Sequence, residues 1–382
     1  MRMNVKLSSI KTVRIKDVAE LDPETLGEST SPEFTFKYID LSSVKSGRIS
    51  NQVEQMTFQT APGRARKLVK HNDILLGMVR PYLKPFAKVQ ALEHGYVAST
   101  GFAVIRAKAG TADSEYLYQT IWSDGISKQI HQMVTGSNYP ALSVGDVKDI
   151  KIPLPPLPEQ RKIAEILRTW DEAIETAEAE LKAKQERKRW LMEKSLMGLH
   201  QKSENPESRI KHVKLGEICN PQQWATISKG QMTSSGVPVY GANSFIGYYS
   251  EANHTNDVIA VSCRGSCGEV ALVSGPSYVT GNSMCLDDLD LSSVNIFWFY
   301  QFLKIRGFRD IISGSAQPQI IRKDVVKVKV PLPPISQQNK IAEILLGADT
   351  EIETINNRIE TIRAQKRGLM QKLLTGDIRV AA

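Results

Sequence analysis

Two long stretches of the chain carry apolar residues with the same stepping. Ile163, Leu167, Trp170, Ile174, Ala177, Leu181, Lys184, Lys188, Leu191 and Ser195 advance by alternating steps of 4 and 3. Ile341, Leu345, Ala348, Ile352, Ile355, Ile359, Ile362, Lys366, Leu369 and Leu373 repeat the pattern. Such steps average 3.5 residues, the period of a left-handed coiled coil. The first stretch predicts a helix from about Glu159 to Met197, with no internal proline and closed by Gly198. Roughly 40 residues rising 1.5 Å each make a rod of about 60 Å, longer than a small domain is wide. The alternative is a helix lying on its own domain. Lys184 and Lys188 interrupt the first apolar seam and predict a looser far end.

Charge orders the two rods. Asp171, Glu172, Glu175, Glu178 and Glu180 precede Lys182, Lys184, Arg187, Lys188 and Arg189. In the second stretch Asp349, Glu351 and Glu353 precede Arg363, Lys366 and Arg367. A parallel pair sets acid beside acid, whereas an antiparallel pair sets acid against base, so the pattern favours antiparallel packing.

The stretches are copies. Ile152-Pro-Leu-Pro-Pro-Leu-Pro-Glu-Gln-Arg-Lys-Ile-Ala-Glu-Ile-Leu167 recurs as Val330-Pro-Leu-Pro-Pro-Ile-Ser-Gln-Gln-Asn-Lys-Ile-Ala-Glu-Ile-Leu345, with eleven of sixteen positions identical. An offset of 178 holds without a gap from Thr135–Gly198 to Ser313–Gly376. The chain is therefore an internal duplication. Its prolines fix φ and keep each preceding residue extended, so Pro-Leu-Pro-Pro reads as a stiff entry to each helix.

Before each helix lies a mixed, strand-rich region. Asp73–Val79, Tyr96–Ala98 and Phe102–Ile105 read as strands, and Glu115–Met133 as one amphipathic helix. In the second copy Asp257–Val261 and Val270–Val273 read as strands, and Ile296–Ile312 as the helix. Val13–Val18 parallels Val213–Ile218, Asn72-Asp73 parallels Asn256-Asp257, and Arg80 parallels Arg264. The loops diverge: Pro62-Gly-Arg-Ala-Arg-Lys67 has no counterpart. The reading is an α+β fold with four parts: recognition-type domains at 1–157 and 199–335, and long helices at 158–198 and 336–376.

Composition narrows the partners. The chain has 382 residues and a formal charge of +8, with a pI near 9.1. A basic balance favours a polyanion, because cations beside phosphates release counterions. No apolar run approaches the about 20 residues a membrane span needs, and the N-terminal stretch has no signal-peptide pattern. The expectation is a cytoplasmic protein without a membrane partner. Four cysteines fall in one region: Cys219, Cys263, Cys267 and Cys285. Cys263 and Cys267 form a C-x3-C pair without a second close pair, so buried thiols are expected rather than metal.

No catalytic motif is complete. Asn220-Pro-Gln-Gln-Trp224 lacks the second proline of the adenine-methyltransferase Asn-Pro-Pro-aromatic motif, and no glycine-rich cofactor loop accompanies it. There is no phosphate-binding G-x-x-x-x-G-K-[ST] loop. Glu180-Leu-Lys182 has the E-x-K spacing of some nucleases but sits in the rod as solvated helix charge. No spaced histidine pair occurs.

Taken together, these motifs give the chain its resemblance to the specificity subunits of type I restriction–modification enzymes. The residues that carry it are the two Pro-Leu-Pro-Pro segments, each followed by a glutamine (Gln160, Gln338). Lys-Ile-Ala-Glu-Ile-Leu follows, then long helices ending in Leu191-Met192 with Gly198 and Leu369-Met370 with Gly376. Gly136-Ser137 and Gly314-Ser315 also fit. The second copy departs in having Ser336-Gln337 where an acidic residue is more usual. The resemblance implies a non-catalytic subunit whose two target recognition domains each bind half of a bipartite double-stranded DNA site. It implies helices that space the halves and dock two modification subunits. It places S-adenosylmethionine on those subunits and ATP on separate restriction (motor) subunits, leaving no cofactor on this chain. The other readings are a coiled-coil scaffold that binds no DNA and a stand-alone methyltransferase.

Arginine and lysine suit phosphate or guanine, and asparagine and glutamine suit adenine. On that basis the DNA-contact candidates are Arg64, Arg66, Lys67, Arg80, Lys84, Asn138 and Tyr139 in the first domain. In the second they are Lys229, Gln231, Asn243, Arg264, Asn282, Gln317 and Gln319. Each is expected in a loop beside Gly, Ser or Pro.

Overall fold

A computed structural model describes residues 10–90, 95–134, 140–197, 210–242, 244–314 and 317–381. The chain forms two compact units. One comprises residues 1–178 with 358–382, and the other residues 179–357. These divisions cut through the middle of each long helix rather than at its start, so each helix contributes one half to each unit.

In the first unit, Gln55–Thr57, Thr35–Ile39, Tyr96–Ser99 and Ala65–Val69 form a four-stranded sheet in that order. Tyr96–Ser99 runs parallel to Thr35–Ile39, with Tyr96 opposite Lys37. A second sheet runs Ala19–Leu21, Phe102–Ala107, Ile74–Gly77 and Phe86–Lys88. Ile74, Leu75 and Leu76 are all fully buried. That strand is covered on both faces, which explains its unbroken apolar run. Lys11–Arg14 pairs antiparallel with Lys151–Leu154 and brings Val13 opposite Ile152.

The second unit repeats this plan. Asn220–Gln222, Ser283–Asp287, Val258–Ser262 and Val270–Val273 form one sheet, and Phe245–Tyr249, Val237–Tyr240 and Tyr278–Val279 another. Lys211–Lys214 pairs with Lys329–Leu332, Val213 facing Val330. Both regions are α+β and strand-rich, as their patterns indicate.

Two helical expectations need correction. Glu115–Met133 is two helices, Ser114–Ile121 and Asp124–Met133. Ser123 separates them because its side chain caps the second, accepting from the Ile126 N–H; serine at a cap outcompetes continuation of the helix. The helix starting at Ile296 ends at Arg306, not Ile312. Gly307 follows at φ +64° and ψ −174°, outside the helical region and in a conformation that glycine adopts without strain.

The long helices are Leu157–Met197 and Ile335–Thr375, 41 residues each. On the first, Ile163, Leu167 and Ala177 are buried and Trp170, Ile174, Leu181 and Leu191 are half-buried. On the second, Ile341, Leu345, Ile355 and Ile359 are buried and Ile352 and Leu369 half-buried. The seam also serves the domains: Ile163 and Leu167 join the first unit's core, and Ile341 and Leu345 the second's. In the first unit Asp171 pairs with Lys366 and Glu178 with Arg363, both at 2.6 Å. In the second, Glu351 meets Lys184 at 2.7 Å and Asp349 meets Lys188. Within each unit the partner number falls as the residue number rises, so the helices pack antiparallel. Lys184 and Lys188 do not leave a gap, because each faces a carboxylate of the other helix.

A buried glutamine locks each domain to its helix. Gln160 Oε1 accepts from the Asp113 N–H at 2.9 Å, and Nε2 donates to the carbonyls of Thr111 (3.2 Å) and Pro155 (2.9 Å). Gln338 Oε1 accepts from the Asn295 N–H, and Nε2 donates to Ser293 and Pro333, all at 2.8 Å. The glutamine after Pro-Leu-Pro-Pro thus satisfies one backbone donor and two carbonyls, of which the proline carbonyl is buried and the others part-buried.

Candidate nucleic-acid interface

In each unit, backbone bonds gather part of the candidate set at one edge. In the first, the Thr100 N–H donates to the Arg64 carbonyl and the Met78 N–H to the Gly101 carbonyl, both at 2.8 Å. The Arg80 N–H donates to the Pro140 carbonyl at 2.8 Å, and the Leu142 N–H to the Met78 carbonyl at 2.9 Å. The turn carrying Arg64, the end of the central strand carrying Arg80, and the returning segment at 140–142 therefore meet. Arg64 and Arg80 are exposed. Arg64 Nε donates to Tyr38 Oη at 3.2 Å, which aims the guanidinium without burying it. Arg80 has φ +47°, a left-handed conformation uncommon for a side-chain-bearing residue. Asn138 and Tyr139 lie outside the described residues.

The second unit repeats two of these links, with Cys263 in the place of Met78. The Cys263 N–H donates to the Asn282 carbonyl at 2.8 Å, and the Ile320 N–H to the Cys263 carbonyl at 3.3 Å. Ser283 Oγ donates to the carbonyls of Gly241 and Ala242, at 3.1 and 3.0 Å. Ser313 and Gln319 exchange backbone bonds at 3.0 and 2.9 Å. Arg264, Asn282 and Gln319 thus stand on adjoining segments, with Arg264, Gln317 and Gln319 exposed and Asn282 half-buried. Gly314 is at φ +88°, and a Cβ there would lie 2.7 Å from the Gln317 carbonyl, so this turn needs glycine. Asn243 lies outside the described residues.

Five candidates are placed elsewhere. Arg66 and Lys67 are on the strand Ala65–Val69, not in a loop. The guanidinium of Arg66 lies 4.8 Å from the Phe58 ring centre, a cation–π contact. Strand alternation turns Ala65, Lys67 and Val69 to the core, where the Lys67 ammonium meets Asp22 Oδ2 at 2.7 Å and the Phe102 carbonyl. Lys67 is therefore a buried ion pair rather than a surface contact. Lys84 turns back to Trp122, its ammonium 3.4 Å from the carbonyl and 5.9 Å from the ring centre. Lys229 and Gln231 form a short 3-10 turn, Lys229–Gln231. Gln231 Oε1 accepts from the N–H (3.0 Å) and Oγ (2.8 Å) of Ser228, capping that turn.

The cysteines are free thiols, buried except for half-buried Cys267. Burial pushes the Cys219 thiol up to about 12 and that of Cys263 up to about 11. Cys267 Sγ donates to the Cys263 carbonyl at 3.4 Å. Among the described residues, one group of possible metal ligands comes together: His254, Cys285 and Asp287. His254 Nε2 and Trp224 Nε1, each at 2.9 Å, take up the two Asp287 oxygens, and burial holds the Cys285 thiol protonated.

Sequence reasoning passed over several exposed apolar residues. Tyr82 and Leu83 sit in the turn after Arg80, and Phe245, Ile246 and Tyr248 on a hairpin of the second unit. The only available signal was an apolar pair inside a turn, which periodicity does not register. No helix among the described residues is long and apolar enough to cross a membrane.

Comparison with known proteins places this architecture. The family model for the type I restriction modification DNA specificity domain matches twice, at residues 8–185 and 207–364. The putative type I restriction enzyme MjaX specificity subunit of Methanocaldococcus jannaschii is 28% identical over 279 residues, 64% of this chain and 63% of the relative. The MjaVIII specificity subunit of the same organism is 25% identical over 282 residues, 64% of this chain and 66% of the relative. The chain thus aligns with just under two thirds of the length of these relatives. A type I restriction–modification S subunit from M. genitalium superposes with a TM-score of 0.62 at 18% identity, covering 98% of both chains. A chain from a structure concerned with complex assembly and conformational transition of the type I R-M system gives 0.63 at 23% identity, covering 97% of this chain and 98% of that one. At these identities the likeness is one of fold.

Proposed function

The chain belongs to the type I restriction–modification DNA specificity family, and from that premise we propose that it selects a bipartite DNA target, one half-site per unit. The observation that carries this reading is the repeated wiring. Each unit sets an exposed arginine, Arg80 or Arg264, beside a returning segment, residues 140–142 in the first and the one carrying Gln317 and Gln319 in the second, and neither arginine is drawn into its core. Arginine is the residue best suited to bidentate recognition of guanine, and glutamine and asparagine to adenine. Neighbouring cations position the backbone, while base-edge contacts specify.

The long helices complete the proposal. Each is continuous over 41 residues, about 60 Å at helical rise. Half-sites on a duplex repeat every 34–36 Å or so, so a stiff rod can set the number of skipped base pairs where a flexible linker cannot. The same helices would dock two modification subunits, with restriction subunits joining the complex. Methyl transfer from S-adenosylmethionine and ATP-driven translocation would belong to those partners, and this chain would perform no chemistry.

The test is selection of duplexes from a random library by the full chain at two salt concentrations. A two-part consensus whose affinity falls steeply with salt is expected. Arg80→Ala should relax one half and Arg264→Ala the other. Recovery of no consensus would favour a scaffold that binds only protein.

A further inference from the structure

The turn from Arg80 to Lys84 has features that base reading alone does not require. Tyr82 is 60% exposed and Leu83 66% exposed, placing two large apolar side chains in solvent beside Arg80. The turn that displays them is rigid. Pro81 beneath them is buried. The Leu83 N–H donates to the Arg80 carbonyl (3.0 Å), the Lys84 N–H to Pro81 (2.9 Å) and the Phe86 N–H to Lys84 (2.7 Å). Both ends of the turn are left-handed at non-glycine residues, φ +47° at Arg80 and +49° at Lys84. Such backbone costs free energy and persists only where its surroundings enforce it. Here the Lys84 ammonium, tied to Trp122, helps to enforce it. A fold that spends stability to hold Tyr82 and Leu83 outward gains nothing from them in isolation.

We propose that Tyr82 and Leu83 form an apolar wedge that enters the duplex at a base step of the half-site read by the first unit. The proposal rests on the DNA-reading function above. Its occupant is DNA rather than a protein groove for two reasons. The wedge is continuous with the arginine edge, since Arg80 begins the turn. Arg80, exposed at the start of the turn, presents its cation on the same side of the fold edge, whereas Lys84 is held by Trp122 and Lys88 by Glu115, and the chain as a whole carries a formal charge of +8, which suits a polyanion. Apolar side chains inserted between base pairs unstack the step and bend the duplex, so flexible pyrimidine–purine steps are favoured without hydrogen bonds to their edges. The second unit has Gly265 and Ser266 after Arg264, so the corresponding turn has nothing apolar to insert; its exposed Phe245, Ile246 and Tyr248 lie on a separate hairpin. The two half-sites would be read differently, one with local unstacking and one without.

The experiment uses duplexes selected by the full wild-type chain, remade with 2-aminopurine at successive positions. Its emission rises when a neighbouring base pair unstacks. A rise confined to one half-site is expected. The Tyr82→Ser/Leu83→Ser double variant, altered only at exposed positions, should lose the rise and bind about tenfold more weakly, the worth of roughly one stacking contact. Its preferences in the other half should not change. A recovered consensus with no rise anywhere in the wild-type complex overturns the wedge and leaves DNA reading intact. A double variant that keeps both rise and affinity overturns it too, as does one that keeps DNA binding but loses a co-purifying protein partner. Failure to recover any consensus removes both proposals.

Discussion

Replacing Gln160 by leucine keeps the volume of a fully buried side chain and removes three hydrogen bonds. The Asp113 N–H and the carbonyls of Thr111 and Pro155 lose their partner. A buried polar group left unsatisfied costs about 1–3 kcal/mol; removing this side chain strands one buried carbonyl and two part-buried groups. Partial relaxation and entering water recover part of that, so a net loss of about 3 kcal/mol is expected. For a unit of about 200 residues, each kcal/mol lowers the melting temperature by roughly 2–4 °C. Q160L should therefore melt about 6–12 °C lower. Gln338 makes the matching three bonds in the second unit, so Q338L should cost a similar amount in that unit. Thermal and urea unfolding, followed by circular dichroism, give both numbers. A loss under about 1 kcal/mol for either variant, or a large inequality between them, would refute the claim that this glutamine is a repeated lock.

Three further outcomes follow from the geometry. Arg379 holds the buried Glu159 carboxyl below its usual value through its hydrogen bonds; the stabilisation is complete above the unfolded value and lost as pH falls through the folded one. E159Q should thus lower stability by about 1–2 kcal/mol at neutral pH and flatten the loss below about pH 4, as urea titrations would show. Reversing Asp171 to lysine should destabilise the first unit, and adding Lys366→Asp should restore part of the loss; a coupling energy below about 0.5 kcal/mol in that cycle would deny the ion pair a role in helix pairing. Cys267 should be the thiol that reacts first with a disulfide reagent in the native chain, because Cys219, Cys263 and Cys285 are buried and held protonated; three fast-reacting thiols would contradict this.

Much of the architecture was legible because it rests on periodicity. The 4–3 stepping marked the seam from Ile163 to Leu191 and from Ile341 to Leu369, and the separation of acidic from basic residues indicated an antiparallel pair. Pattern was less informative where one residue overrides it. Ser123 splits a helix by capping, and Lys184 and Lys188 fill an apolar seam because carboxylates face them. The candidate interface was only half legible. Arg64, Arg80, Arg264, Asn282, Gln317 and Gln319 stand at the edges described above. Lys67 has the same chemistry and follows a turn with Pro62 and Gly63, yet strand alternation turns it inward to Asp22. Lys84 and Gln231 hold their own turns together. Residue type shows what a side chain can bind, whereas its face and local partners decide whether it is available. Tyr82 and Leu83 went unnoticed for the opposite reason, since apolar residues in a short turn are ordinarily taken for core.

Under the proposed function, each of the two units reads half of one site. Its most direct test exchanges residues 208–335 for the corresponding segment of another specificity subunit and maps methylated sites across a host genome carrying the complete complex. One half of the recognised sequence should change while the other half stays the same. Change in both halves, or in neither, would contradict it.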